Sequence, residues 1–330
     1  MSTSEHTGHS GGPAQPPANT DPSAGTSYHI RYVTRHEIDT ARWDACIARA
    51  TNSLLYGFHF YLDHMAAQQW DALILGDYEA VMPLTWRRKY GIKYLYQPPF
   101  TQQSGIFSAR PLPADLIEAF LQTTRNHFRF AEIFLNYGNA LPALEPHTNY
   151  ILALDAPYPQ LAANYEKDLV RSLRLVATRP PLIYSNTPDL ELALETNRQL
   201  YGARTPHVQA ADYTAFAALC RYCRTRDQLV LRAAVTPGGE ILSTALLLRD
   251  QNRLYLLQAT TPAAGRRHEA NHYLLDQLIR EWAGSGLTLD FEGSELPGVA
   301  HFYANFGAIR QPYYYYWYNH LPWPIKLLKS

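Results

Sequence analysis

The chain has only three cysteines and three methionines, and none of its apolar runs approaches the roughly 18 residues that a membrane-crossing helix needs. Three cysteines make no disulfide framework, and such a count fits a reducing cytoplasm, where we expect the protein to reside. Cys220 and Cys223 form C-R-Y-C, but a second ligand pair is missing and "FAALCRYCRTRD" reads as a packed helix. No metal is therefore expected. Net charge is also lacking: Lys+Arg and Asp+Glu are 29 each. No global field draws the protein to nucleic acid, no DNA partner is expected, and an anionic ligand must be met by a local patch. Residues 1–27 lack an apolar segment and a basic start, so they read as neither signal peptide nor anchor. Their Gly/Pro/Ser/Thr composition is expected to be disordered.

What is present is a large core. Apolar residues are 46% of 330, enough for two domains, and the 24 tyrosines need burial with partnered hydroxyls or a groove to line. "YHIRYVT" alternates as a strand. "RHEIDTARWDACIARA" and "GFHFYLDHMAAQ" read as helices, and "WDALILGDYEAVMPLTWRR" as a hairpin around Gly-Asp. "KYLYQPPF" and "SGIFS" extend that sheet. "LPADLIEAFLQTTRNHF" is a helix, and "FAEIFLNYG" and "TNYILALD" are strands. Residues 28–154 thus form one α+β unit. A helix over 158–178 bridges to the rest, with Leu161, Tyr165, Leu169, Leu173 and Val176 on one stripe and Lys167, Arg171 and Arg174 on another face.

Residues 155–330 repeat the order: a strand, two helices, three strands joined by tight turns, a helix over "AGRRHEANHYLLDQLIREWAGSG", the strand "LTLDFEG", the helix "PGVAHFYANFG" and a last strand, "QPYYYYWYN". This order, with "AHFYANFGA" close to F-Y-x-x-x-G, resembles the GNAT acyltransferase fold. Two such units in tandem, with "LDFEGSELPGVAHFYANFGA" near the end, resemble the Fem-type peptidoglycan aminoacyltransferases. The resemblance implies an α+β fold of two tandem GNAT-like units, each a mixed sheet flanked by helices. It implies transfer of an acyl group to a small or lipid-linked amine, with acyl-CoA or aminoacyl-tRNA as co-substrate and no tightly bound cofactor.

The residues suit that chemistry. A parallel pair, 253–260 and 287–291, would splay to admit the donor, with backbone N–H groups near Gln258–Thr260 polarising its carbonyl. Gly265, Arg266, Arg267 and His268 begin the crossover helix and would meet a phosphate. The family's loop there carries a second small residue that is missing here, which counts against ordinary coenzyme A binding. Tyr303 would protonate the leaving group. Asp290 and Glu292, placed on one strand face by alternation, are the candidate bases, with His268 and His301 also available. In the first half, Arg87, Arg88 and Lys93 interleave with tyrosines and suit a phosphate- or sugar-bearing acceptor or an RNA end. The tail "LPWPIKLLKS" suits peripheral membrane contact. Two other readings stay open: a coenzyme A-dependent N-acetyltransferase of a small amine, and a non-catalytic binding module. A cleft plugged by the tyrosine-rich strand would favour the latter.

Overall fold

The computed structural model describes residues 28–293, 296–323 and 326. The N-terminal segment read as disordered lies outside the described residues, as does most of the basic, aromatic C-terminal tail.

In the first half, β1 (Ile30–Thr34) is followed by α1 (Thr40–Arg49), α2 (His59–Met65), β2 (Trp70–Leu75), β3 (Ala80–Lys89), β4 (Ile92–Tyr96), β5 (Phe107–Ser108), α3 (Ala114–His127), β6 (Phe130–Leu135) and β7 (Glu145–Ala153). Two short helices come next, α4 (Tyr158–Ala162) and α5 (Lys167–Ala177). The second half holds β8 (Ile183–Ser185), α6 (Leu190–Tyr201), α7 (Ala210–Arg224), β9 (Leu229–Val235), β10 (Ile241–Arg249) and β11 (Arg253–Thr260). It ends with α8 (Ala263–Arg267), α9 (Ala270–Trp282), β12 (Thr288–Asp290), α10 (Pro297–Ala304) and β13 (Ile309–Asn319). The structure is α+β, a mixed sheet flanked by helices.

The strands form one 13-stranded sheet in the order β1-β2-β3-β4-β6-β13-β7-β12-β11-β10-β9-β8, with β5 on β3. The ends of the two halves interleave at its centre. β13 lies between β6 and β7, antiparallel to both, and β7 in turn pairs with β12. The tyrosine-rich strand is thus consumed in sheet pairing. Tyr316 and Tyr318 drop their hydroxyls onto the carbonyls of Leu121 and Phe128, at 3.3 and 2.9 Å, so these buried phenols are satisfied.

Helix packing follows the apolar periodicity. α3 buries Leu116, Ile117, Phe120, Leu121 and Thr124, the stripe of an amphipathic helix, against β2, β3 and β6. β10 is buried along almost its whole length, as a strand covered on both faces requires. One core is common to both halves: Trp43, Tyr61 and Trp70 pack in it with Phe216, Leu246 and Tyr255.

The expected helix over 158–178 is broken. Its apolar stripe still points inward through Leu161, Leu169 and Val176, but residues 163–166 leave the helical path. The cause is tertiary: the Glu166 amide bonds the Asn305 carbonyl at 2.9 Å, and Gly307 packs on Asn164. Gly307 has φ +76°, and a Cβ there would meet Asn164 Cβ at 3.1 Å. The glycine of F-Y-x-x-x-G is therefore set by a left-handed helix exit against a close neighbour.

Candidate active site

β11 and β12 run parallel and pair only at Arg253–Thr288, Leu254–Leu289 and Tyr255–Asp290. Beyond that β12 ends, while β11 continues through Thr260. A β-bulge lies where the register on β10 skips Leu257, and a bulge bends and twists the strand that carries it. The root of the split is fastened by a buried ion pair, Arg253 Nη1 to Asp290 Oδ2 at 2.7 Å, with Asn149 Nδ2 donating to Asp290 Oδ1 at 2.8 Å. Asp290 thus sits beneath the gap, tied to its neighbours.

At the mouth of the split lies a cavity of about 510 Å³. Its polar lining includes Tyr201, Arg204, Arg266, Glu269, His272 and Tyr303. Tyr303 rides on α10 one position after Phe302, and its ring stacks on Phe291 at 4.7 Å between centroids. Burial, then the nearby Glu292 and Tyr201, push its phenol above the ordinary value, so it stays protonated.

Glu292 does not continue the strand. Its φ is +60°, and its amide turns back to Asp290 Oδ1 at 3.0 Å. Alternation therefore fails to put Asp290 and Glu292 on one face. Tyr56, from the first half, donates its hydroxyl hydrogen bond to Glu292 Oε1. Burial pushes the Glu292 carboxyl up to about 8.

Among the residues expected to hold the donor, Arg266 reaches the cavity wall, where its Nη1 also donates to the Thr261 carbonyl at 2.8 Å. Gln258 and Thr260 are buried, and Thr260 Oγ1 accepts from Asn197 Nδ2 at 2.8 Å. Gly265 packs against β10, where a Cβ would come within 1.7 Å of the Leu242 carbonyl oxygen. Arg267 is exposed, and its carbonyl accepts from Arg179. His268 leans back on its own helix, Nδ1 being 3.4 Å from the Ala264 carbonyl. His301 is largely exposed, 3.6 Å from Asp168.

The residues expected to hold the acceptor lie on the β3–β4 hairpin. Arg87 pairs with Asp212 of α7 at 3.2 Å, and its guanidinium covers the Tyr96 ring. Lys93 pairs with Asp71 at 3.3 Å and stacks over Trp86, while Arg88 is exposed. Among the described residues no group of three or more His, Cys, Asp or Glu gathers to hold a metal, and no helix is long and apolar enough to cross a membrane.

Tyr56, Tyr201, Arg204, Glu269 and His272 escaped the sequence reading. The first three come from elements far away in the chain, and nothing local marks them. The last two had a signal: residues 268–272 read H-E-A-N-H, the spacing of a helical zinc motif. The fold breaks that motif. Glu269 has φ +55° and separates α8 from α9, so His268 closes one helix while His272 lies in the first turn of the next. His272 Nδ1 instead donates to Glu269 Oε2 at 2.8 Å.

The acetyltransferase (GNAT) domain family model matches residues 163–302, which spans the split and the cavity lining up to Phe302, one residue short of Tyr303. Among solved structures, FemX superposes with a TM-score of 0.62 at 14% identity, covering 88% of this chain and 98% of that one. A conserved protein of unknown function from Bacteroides thetaiotaomicron VPI-5482 gives 0.53 at 10% identity, covering 87% and 98%. A tandem GNAT protein from the clavulanic acid biosynthesis pathway gives 0.48 at 12% identity, covering 89% and 99%. A search of curated proteins finds no match. The chain has the fold of FemX, and its second half carries the match to the GNAT domain model.

Proposed function

We propose that this tandem GNAT-fold chain is an acyltransferase that moves an acyl or aminoacyl group from an activated donor to an amine, with its reacting centre at the split between β11 and β12. The observation that carries the reading is that Tyr303 lines a cavity opening where these strands part. In acyl transfer the amine nitrogen bonds the donor carbonyl carbon, the bond to the leaving oxygen or sulfur breaks, and the leaving atom takes a proton. Tyr303 supplies that proton. Glu292, held by Tyr56 and protonated at neutral pH, is the nearby reservoir that restores it.

An aminoacyl donor fits better than an acyl-CoA. The Gly265 turn is pressed against β10, which leaves it poorly placed to cradle a pyrophosphate. The wall beside it also carries Glu269, a carboxylate that repels one. Arg204 and Arg266 remain to meet a single phosphate. The acceptor is a small or lipid-linked amine.

The test is a melting-temperature panel of coenzyme A, acyl-CoA and non-hydrolysable aminoacyl-nucleotide mimics. A ligand at 100 times its dissociation constant stabilises by about 2.7 kcal/mol. We expect the aminoacyl mimics to raise the melting temperature and coenzyme A to leave it unmoved. A shift with coenzyme A alone would favour the N-acetyltransferase reading. No shift with any donor would favour the binding module.

A further inference from the structure

The proposed reaction has an acid and a proton reservoir but no group to take the proton from the incoming amine. With its carboxyl pushed to about 8, Glu292 is about nine-tenths protonated at pH 7 and is a poor acceptor there. Asp290 is locked beneath the gap by Arg253 and Asn149.

We infer that His272, oriented by Glu269, is the general base of the cleft. This rests on the acyl-transfer reading. Both residues line the cavity that Tyr303 lines. The 2.8 Å bond fixes the proton on His272 Nδ1 and leaves Nε2, with its lone pair, as the nitrogen to face the cavity. The Phe302 ring, 4.9 Å away between centroids and steeply inclined to the imidazole, packs against it. The break at Glu269 explains the arrangement: in a continuous helix His268 and His272 would share a face, whereas the left-handed residue turns the carboxylate onto His272 alone.

The ionisable groups that line the cavity with this imidazole are of both signs: Glu269 beside it, Arg266 from α8, Tyr201 from the end of α6, Arg204 from the turn that follows α6, and Tyr303 from α10. Burial pushes His272 below its ordinary value and Glu269 pulls it back up, so the ring is neutral at pH 7 and free to accept. In the step itself, the amine N–C bond forms and the bond from carbonyl carbon to leaving group breaks. The amine's proton passes to His272 Nε2, and the leaving group takes the Tyr303 proton.

The test uses the full chain, p-nitrophenyl acetate as donor and glycinamide as acceptor, and follows N-acetylglycinamide by mass. We expect His272→Gln to lower amide formation about 100-fold at pH 7 with an unchanged melting temperature. His272→Ala should be partly rescued by added imidazole. Glu269, as a positioning residue, is read by its pH profile. Glu269→Gln should lose part of the rate and move the acid midpoint to lower pH, because the negative partner of the imidazolium is gone. If His272→Gln matches the unaltered protein, or Glu269→Gln leaves the midpoint in place, the base assignment is overturned while acyl transfer stands. If the unaltered protein makes no more amide than heat-denatured protein, acyl transfer in this cleft falls and the base assignment with it.

Discussion

Each half of the sheet contains a parallel pair that parts after a few residues, and the two partings are filled differently. In the first half, β4 and β6 share only Leu95–Ala131 and Tyr96–Glu132. Gln97 then reaches across, its Oε1 accepting from the Phe134 amide at 3.1 Å, and Ser104 re-pairs the edge of β6 through Phe134 and Asn136. Behind this seal Asn52, Asn136 and Asn139 are buried and converge on the Ile106 carbonyl. In the second half the strands part beside a cavity of about 510 Å³ walled by ionisable side chains. The same backbone device therefore serves two ends. Where the chain satisfies the exposed strand edge with its own amides, the gap becomes structure; where it leaves space, the gap becomes a candidate site. We read the first half as scaffold and the second as the reacting centre, with Tyr56 as the first half's contribution to it.

The contrast can be broken by substitutions in either gap. The largest effect is expected from Tyr303→Phe, which removes the proposed proton donor: with a thioester or aminoacyl ester donor, turnover should fall about 10²- to 10⁴-fold without loss of fold. Gln97→Ala, in the other gap, should leave turnover near its original value. Equal losses in both would erase the distinction.

Next comes Asn136→Ala. It strands the Gly138 amide inside the first gap and removes one of the two acceptors of Asn52 Nδ2, so chemical denaturation should show a loss of about 1–3 kcal/mol. A change under 1 kcal/mol would mean that the gap is not held by this network.

The effect that reports most directly on the second gap is the pH dependence of stability. Glu292 ordinarily titrates near 4.5 and is pushed to about 8 in the fold. Between those values the folded protein keeps a proton that the unfolded chain has released. Its contribution is fully present below about pH 4.5 and is lost as pH rises toward 8. Unfolding in denaturant at pH 5 and pH 9 should therefore show a fall that Glu292→Gln abolishes. A fall of the same size in the variant would place the effect elsewhere.

Much of this molecule was written locally. The tight turns at Gly-Asp and Pro-Gly-Gly, the stripe of α3 and the buried run of β10 give the element order, because each depends on neighbours a few residues away. The parallel segments 253–260 and 287–291 and the tyrosine after them were legible for the same reason. Their surroundings were not. Asp290 looked like a candidate base because strand alternation continues to Glu292 on paper, but the chain turns at Glu292 and Arg253 claims the aspartate. Arg87 and Lys93 looked free for a ligand because their partners, Asp212 and Asp71, lie far away in sequence.

The amino-acid order alone thus determined most of the helices and strands, their succession and the chemical types available near the C-terminal glycine, since those follow from short-range periodicity and turn chemistry. Only the tertiary structure decided that β13 and β7 interleave, that one gap closes and the other stays open, and that Tyr56, Glu269 and His272 meet Tyr303 and Glu292 around it. Those outcomes depend on which polar edges find partners across distances of up to 236 residues, and no local pattern encodes that choice.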